Sequence, residues 1–173
     1  AKELKERLIN LVGEEAAFIQ AGTFHALCGR ILRKYGNLLG FGSNFVIYDT
    51  DDKLKVLKTV LQRMNLDTSL FAPKKIANLI SSLKNKLIYP DSYQLSESNY
   101  FNDRLSEIYK EYQAELLRAN ALDFDDLLGL TIRLFDEHEA VKTRYQNMIK
   151  YLLVDEYQDT NLVQELFIRH LTE

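Results

Sequence analysis

The sequence is poor in the residues that make tight turns and cross-links. Its 173 residues include 7 Gly, 2 Pro, 1 Cys and no Trp. So little Gly and Pro leaves too few tight turns for a sandwich or barrel of short strands and favours long helices. The single cysteine, Cys28, cannot form an internal disulfide and has no second thiol for a cysteine-based zinc site. We therefore expect a mainly helical protein from a reducing compartment, the cytoplasm.

Long apolar runs are also missing. No run approaches the roughly 20 residues that span a bilayer. Residues 1–7 carry mixed charge rather than the basic start and apolar stretch of a signal peptide. No membrane partner is expected.

The formal net charge of −3 conceals an uneven distribution along the chain. Residues 53–90 hold eight basic side chains and one acid, a balance of +7, whereas residues 121–173 hold eleven acids and five bases. A basic stretch of this kind is typical of a surface that faces a polyanion, but lysine-rich helices also simply keep an outer face solvated. Charge alone leaves both interpretations open.

Apolar residues recur at helical spacing through most of the chain. This spacing, with capping residues, predicts helices over about 2–11, 24–35, 50–61, 73–87, 98–119, from 124 onward, 139–148 and 161–171. The basic residues are expected on the outer faces of the helices over 50–61 and 73–87. Two short apolar runs, 17–21 and 150–154, predict buried strands.

Two adjacent carboxylates, Asp155 and Glu156, directly follow the predicted strand over 150–154. Ligands of parallel α/β sheets bind beyond the carboxyl ends of the strands, so both acids would face a site. One carboxylate can hold the Mg²⁺ that bridges nucleotide phosphates while its neighbour deprotonates the attacking water. This is the form of a Walker B element, with Asp155 at the metal and Glu156 as the base. A bare Asp-Glu pair is also common where an ordinary strand ends in solvent.

The longer string around these acids resembles a known helicase motif. Residues 151–161 read YLLVDEYQDTN, and motif II of the UvrD/Rep/PcrA-type superfamily 1 DNA helicases has four apolar residues followed by D-E-x-Q-D-T-N. Two further segments are similar to that family and occur in its order. GTFHALCGRILR over 22–33 resembles its T-F-H element, and LDFDDLL over 122–128 resembles the segment by which the chain returns to the motor core. The resemblance covers essentially the whole chain.

This resemblance implies a mainly α fold that contains an incomplete RecA-like α/β motor portion of the P-loop NTPase family. Residues 1–36 and 120–173 would belong to the motor domain, the second part with the Walker B strand. Residues 37–119 would form an inserted, all-helical, DNA-contacting subdomain. ATP and Mg²⁺ are the implied cofactors of the full-length parent. Its implied partners are single-stranded DNA, the duplex junction and the rest of the helicase chain.

The resemblance also implies roles for individual residues. Asp155 matches the metal ligand, Glu156 the catalytic base, and Gln158 a catalytic residue near the γ-phosphate. The positions that match DNA-contacting residues are Thr23, Phe24 and His25.

The basic stretch would lie inside the inserted subdomain. Its lysines are candidate phosphate contacts on charge alone, without a matched motif: Lys53, Lys55, Lys58, Lys74, Lys75, Lys84 and Lys86. Tyr89, Tyr93 and Tyr100 could stack on bases, but aromatic residues of helical proteins are more often part of the core.

A second acidic group, Asp123, Asp125 and Asp126, invites comparison with a two-metal nuclease site. The group precedes a helical pattern, and Asp123 and Asp126 have the spacing of a capping box. Negative charge is also favourable at a helix N-terminus. We therefore interpret these acids as the start of a helix.

A Gly-rich phosphate-binding loop of the form G-x-x-x-x-G-K-[ST] is absent from the sequence. We therefore expect the chain to be a segment of an ATP-dependent 3′–5′ DNA helicase that is inactive alone and holds neither ATP nor Mg²⁺ tightly. The strands over 17–21 and 150–154 would be its least native-like part, whereas the helical insert would fold independently. The alternative is a non-catalytic helical module that binds nucleic acid or protein and retains a degenerate motor edge.

Overall fold

The computed structural model describes residues 2–91, 93 and 99–173, with side chains from residue 6 onward. The described residues form eight α-helices: α1 Lys2–Val12, α2 Phe24–Tyr35, α3 Thr50–Arg63, α4 Pro73–Lys84, α5 Tyr100–Arg118, α6 Phe124–Glu137, α7 Glu139–Met148 and α8 Leu162–Thr172. They also form three 3₁₀ helices and two strands: Gly13–Phe18, Gly36–Leu39 and Tyr157–Asp159, then β1 Val46–Tyr48 and β2 Ala121–Asp123. The predicted mainly helical class is confirmed. None of the described helices combines the length and apolar character that a bilayer crossing requires.

Five helices begin at side chains that cap them. In each case the capping oxygen accepts a hydrogen bond from the backbone N–H three residues further on, and the caps are Thr23, Asp49, Asn99, Asp123 and Asn161. At α6 and α8 the bond is reciprocated by the side chain of the third helical residue, which completes a capping box. α4 instead has Pro73 in its first turn, where the missing N–H costs nothing. Local sequence therefore sets most helix starts.

β1 and β2 form a two-stranded parallel sheet that the sequence did not predict. Val46 pairs with Ala121, and Tyr48 pairs with Asp123. The chain between the strands contains α3, α4 and α5, which is the long crossover that parallel pairing requires.

Asn120 fixes the start of β2 against the loop before β1. Its backbone has φ of 46°, a left-handed conformation that Asn tolerates better than most residues. Its Oδ1 accepts a hydrogen bond from the Gly42 N–H at 2.8 Å, and its Nδ2 donates to Asn44 Oδ1 at 3.1 Å. The backbone N–H of Val46 donates to the Asn120 carbonyl at 3.0 Å. Asn120 thus joins the two ends of the crossover.

The buried apolar side chains form two clusters. The first joins α2, α6, α7 and α8 and includes Phe41, Phe45 and Leu122. The second joins α3, α4 and α5, and its buried members all lie between Leu57 and Ala121. Among the described residues between Phe45 and Leu122, none is a buried member of the first cluster, although Leu87 packs against it as a half-buried residue.

The strand predicted over 17–21 is wrong. Residues Gly13–Phe18 form a 3₁₀ helix, and the Phe18 side chain is 88% exposed. The backbone N–H of Ile19 donates to the Ala16 carbonyl at 3.1 Å, so the chain turns here instead of extending. An isolated strand leaves its backbone groups unpaired, and no described strand lies beside this segment.

The strand predicted over 150–154 is also wrong. The segment is irregular, and Tyr151 and Leu153 are almost fully exposed. Leu152 and Val154 alternate with them as half-buried residues, and Leu152 packs against the first cluster. The period of two is therefore present, but among the described strands none pairs with this segment.

One predicted helix boundary is revised, and another falls outside the described residues. α4 ends at Lys84 rather than near residue 87, because Leu87 adopts a left-handed conformation with φ of 56°. The predicted start at residue 98 lies outside the described residues, and α5 begins at Tyr100 after its cap Asn99.

Candidate functional site

The acidic motif forms an exposed turn that leads into α8. Asp155 and Glu156 precede the 3₁₀ helix Tyr157–Asp159, and all five residues from 155 to 159 are exposed. Asp155 Oδ1 accepts a hydrogen bond from the Glu156 N–H at 3.0 Å, and the Gln158 side-chain amide donates to the Glu156 carboxylate. Glu156 has φ of 50°, a conformation that costs a non-glycine residue about 1 kcal/mol. The turn therefore holds both carboxylates in solvent, one of them at a strained position.

These two carboxylates suit a Mg²⁺ ion that is held mainly by phosphates and water. Mg²⁺ usually keeps several waters and is bound by one or two carboxylates together with nucleotide phosphates. In the described part of the chain, no group of three or more His, Cys, Asp or Glu side chains could hold a metal ion. Asp155 could thus contribute a carboxylate ligand to such a site, with Glu156 beside it, but the two do not form a complete cage.

The predicted DNA-contacting residues lie at the start of α2. Thr23 is exposed and caps the helix, with its Oγ1 accepting from the Ala26 N–H at 3.3 Å. Phe24 is half-buried against the first cluster, edge-on to Phe167 of α8 with ring centroids 6.3 Å apart. His25 is half-buried and stacks on Phe124, the first residue of α6, at a centroid distance of 4.0 Å. The contact between the Phe24 and Phe167 rings connects the start of α2 to α8, the helix that follows the exposed turn over 155–159.

The candidate lysines separate into two groups. Lys53 and Lys84 are buried, which corrects their expected place on the outer helix faces. Five are exposed, as expected for candidate phosphate contacts: Lys55, Lys58, Lys74, Lys75 and Lys86. Lys55 forms an ion pair with Asp52 at 3.1 Å, and the Lys75 ammonium lies 4.6 Å from the ring centroid of Phe101.

Lys84 lies between two carboxylates at the start of α6. Its Nζ is 2.7 Å from Asp123 Oδ2 and 2.7 Å from Asp126 Oδ1. Tyr112 donates its hydroxyl to Asp123 Oδ2 at 2.9 Å, and Gln113 donates its amide to Asp126 Oδ1 at 3.1 Å. Residues of α4 and α5 thus satisfy both buried acids of the α6 capping box.

Lys53 makes a second set of contacts beside the first. Its Nζ donates to Ser81 Oγ at 2.7 Å and to Asp125 Oδ2 at 3.0 Å, and it lies 3.5 Å from Asp123. Asp125 also accepts hydrogen bonds from Ser81 Oγ and from the Asn85 amide. We call Lys53, Lys84, Asp123, Asp125 and Asp126 the buried ion network; it joins α3 and α4 to the start of α6.

The pKa values of Asp123, Asp126 and Lys84 follow from burial and from these contacts. Burial acts to raise the pKa of Asp123, but Lys84 and Lys53 outweigh it and hold the pKa below its ordinary value. Burial, with the Asp123 charge, raises the pKa of Asp126. Burial acts to lower the pKa of Lys84, but Asp126 and Asp123 outweigh it and raise that pKa. Lys84 therefore keeps its charge between the two carboxylates.

Comparison with known proteins identifies the family. A family model described as the UvrD/REP helicase N-terminal domain matches residues 1–173. The chain belongs to the UvrD/REP helicase family. The ATP-dependent DNA helicase PcrA of Bacillus subtilis (strain 168) is 42% identical over 173 residues, which are 100% of this chain and 23% of that protein.

Further relatives carry the same name. The ATP-dependent DNA helicase PcrA of Leuconostoc citreum is 42% identical over 174 residues, covering 100% of this chain and 23% of its own length. That of Staphylococcus epidermidis (strain ATCC 12228 / FDA PCI 1200) is 43% identical over 171 residues, with 99% and 24% covered. The chain spans less than a quarter of the length of these curated relatives.

The acids at the start of α6 serve as a helix cap in this UvrD/REP family member. Asp123 and Asp126 complete the capping box of α6, which confirms the predicted helix start. Both are buried and paired with Lys84, so their oxygens are already occupied.

The sequence did contain a signal for the buried lysines. Lys84 continues the stripe of Ile76 and Ile80 at intervals of four residues, and Lys53 precedes the buried Leu57 by four. Residues four apart share one face of a helix, so both lysines occupy inward positions. A lysine on a buried stripe requires an acidic partner, and the aspartates at 123–126 are the partners.

Proposed function

We propose that the chain is part of an ATP-dependent 3′–5′ DNA helicase that couples ATP hydrolysis to translocation on single-stranded DNA and to duplex unwinding. The observation that carries the proposal is the match of the whole chain to the UvrD/REP helicase N-terminal domain, with the exposed pair Asp155 and Glu156 in the acidic motif. The cytoplasm is the proposed location, and the single-strand–duplex junction is the proposed DNA partner.

The acidic turn has the proposed role of metal ligand and base. Asp155 would bind Mg²⁺, and Glu156 would take a proton from the attacking water. Bound Mg²⁺ would neutralise charge on the nucleotide phosphates. Gln158 would orient the Glu156 carboxylate through the hydrogen bond that joins their side chains. Because the sequence has no Gly-rich phosphate-binding loop, the chain by itself would not hydrolyse ATP.

The two hydrophobic clusters support a division of the chain into a motor part and a DNA-contacting helical part. Residues 1–36 and 120–173 would belong to the motor domain, and residues 37–119 would form a DNA-contacting helical insert. Apart from Ala121, the buried residues of the second cluster lie within residues 37–119, which would give the proposed insert a core of its own. Phe41 and Phe45 belong to the first cluster, so the insert would begin structurally near β1.

The catalytic assignment is tested by Glu156→Gln in the full-length protein that contains this chain. Removal of a general base is expected to lower DNA-stimulated ATP turnover by about 10²- to 10⁴-fold while ATP binding is retained. Glu139→Gln, an exposed glutamate on α7, is the matched control and should turn over ATP normally. Unchanged turnover in Glu156→Gln would refute the base assignment, whereas absence of turnover in the unaltered full-length protein would favour a non-catalytic module.

A further inference from the structure

Helix α8 begins directly after the acidic turn over 155–159. The Thr160 hydroxyl donates to the Tyr157 carbonyl at 2.7 Å, which ties the end of the turn to its middle. The next residue, Asn161, begins α8 in a capping box with Gln164. Because hydrogen bonds hold both the turn and the helix start, a displacement of the turn would carry α8 with it.

The buried face of α8 carries a ring that contacts two other helices. Phe167 is fully buried and lies about 9 Å along the helix from its cap Asn161. Its ring meets Phe24, the first residue of α2, edge-on with centroids 6.3 Å apart. It also lies nearly parallel to the ring of Phe135 on α6, at an interplanar angle of 11°. Interior side chains are close-packed, so the rings beside Phe167 must accommodate any shift of it.

Phe24 is placed so that such a shift reaches the proposed DNA contacts. Thr23 precedes it as the cap of α2 and His25 follows it, so both residues move with the start of the helix. His25 also stacks on Phe124 of α6, whose start the buried ion network holds through Asp123. The ring contact with α6 therefore leads to an anchored helix start, whereas the ring contact with α8 leads to the acidic turn.

We propose that α8 couples nucleotide binding at the acidic turn to the T-F-H element, with Phe167 as the positioning residue that passes its displacement to Phe24. This rests on the proposed helicase function and names a connection between its two ligand sites. Helices in switching proteins shift by about 1–2 Å, which is enough to make or break a hydrogen bond of the kind that Thr23 offers. Because Phe167 is fully buried, it acts only through its neighbours.

The test measures ATP turnover by the full-length protein that contains this chain, with and without saturating oligo-dT. The quantity compared is the ratio of the two rates. Phe167→Leu keeps an apolar side chain but removes the ring, and it should lower this ratio about tenfold. Phe45→Leu is the matched control, because Phe45 is also 1% exposed and belongs to the same cluster but lies just before β1. Both variants should lose similar thermal stability, and Phe45→Leu should keep the ratio of wild type.

A second measurement uses binding without turnover. Fluorescence anisotropy gives the affinity for oligo-dT with and without a non-hydrolysable ATP analogue. Coupling between two binding sites is reciprocal, so the change in affinity that the analogue causes in wild type should shrink in Phe167→Leu. Phe24→Leu removes the same ring contact from the side of α2 and should also lower the turnover ratio. Adding Phe167→Leu to it should cause little further loss, since the two residues act through one contact.

The possible results separate the coupling from the helicase function. A wild-type ratio in Phe167→Leu, or an equal loss in Phe45→Leu, would overturn the coupling through α8 and leave the proposed function intact. If circular dichroism shows Phe167→Leu unfolded, Phe24→Leu takes its place, and an unchanged ratio there would overturn the coupling. Wild-type turnover that does not respond to oligo-dT would overturn the proposed function and the coupling together.

Discussion

Lys84 and Lys86 are two residues apart, yet their surroundings make them chemically different. The Lys84 ammonium lies in the interior between Asp123 and Asp126, whereas Lys86 is exposed. A buried ion pair adds little net stability when intact, but removal of one partner leaves an uncompensated buried charge. The same residue type is therefore a structural element at one position and a candidate phosphate contact at the other.

We expect Lys84→Met to lower the free energy of unfolding by about 3–5 kcal/mol, since Asp123 and Asp126 lose their shared cation. Lys86→Met should change it by less than about 0.5 kcal/mol, as is usual for an exposed side chain. Urea denaturation followed by circular dichroism measures both. Equal, small effects would show that the buried ion network does not hold α4 to α6.

His25 gives a prediction about pH. Burial lowers the pKa of His25, while Asp125 acts weakly in the opposite direction. The folded state therefore disfavours the charged imidazole, so the contribution of His25 to stability is lost as pH falls below about 6.5, the pKa of an unperturbed histidine. Phe124→Ala would open the ring to water and raise the pKa of His25 towards that value. NMR titration of the His25 ring protons checks this, and a pKa unaltered by Phe124→Ala would contradict it.

At the scale of the element, α5 and the segment over 150–154 differ in side-chain burial and in backbone hydrogen bonding. α5 is a continuous helix with five buried side chains: Leu105, Ile108, Tyr109, Tyr112 and Leu116. No amide of residues 150–154 donates a backbone hydrogen bond to another described residue. Helical amides with a buried face open rarely, whereas amides without a partner exchange freely.

Hydrogen–deuterium exchange of the isolated chain should therefore find the amides of residues 150–154 exchanging orders of magnitude faster than those in the centre of α5. The adjacent helix α7 provides an internal reference, because its amides are bonded within the same part of the chain. Protection of residues 150–154 comparable to that of α5 would indicate a paired strand there.

Much of the helical structure could be predicted from the sequence because its causes are local. Asp49, Asp123 and Pro73 mark helix starts, and apolar spacing marks the faces that become buried. Strand pairing is not local: 17–21 and 150–154 have apolar strand patterns but no described partner, whereas β1 and β2 pair across α3 to α5 in only three residues each.

The candidate site likewise combines residues that a local motif predicts with contacts that no local pattern predicts. Asp155 and Glu156 were predicted as a pair from one contiguous motif, and the structure places both in solvent. The contact between His25 and Phe124 joins residues far apart in the sequence, so no local pattern could predict it. The buried ion network is likewise formed by three elements that are separate in the sequence.

At the scale of the whole molecule, the charge balance describes the surface only after burial is considered. The stretch over 53–90 has eight basic side chains, but Lys53 and Lys84 are neutralised in the interior by acids from outside that stretch. The electrostatic field that an approaching polyanion meets is therefore weaker there than the sequence balance of +7 indicates.

We expect the affinity of the chain for single-stranded DNA to fall with salt, with a slope set by the exposed lysines. The double variant Lys74→Ala/Lys75→Ala should make the slope of log K against log salt shallower by up to about 0.7 for each lost phosphate contact. Arg144→Ala/Lys150→Ala removes two exposed charges outside the basic stretch and serves as the control. Binding that does not depend on salt, or equal slopes in the two double variants, would refute phosphate contacts at Lys74 and Lys75.

The pairing of β1 with β2 has a consequence for how such a molecule can change over evolution. Val46 and Ala121 are partners on adjacent strands, which lie about 4.8 Å apart. The polypeptide thus departs from the first cluster and returns to it at nearly the same point, as a closed detour. A detour of this kind can lengthen, shorten or be exchanged for another without moving the ends of the chain that it interrupts. Lys53 and Lys84 lie within this detour and neutralise Asp123, Asp125 and Asp126, so any exchange must also supply cations for these acids.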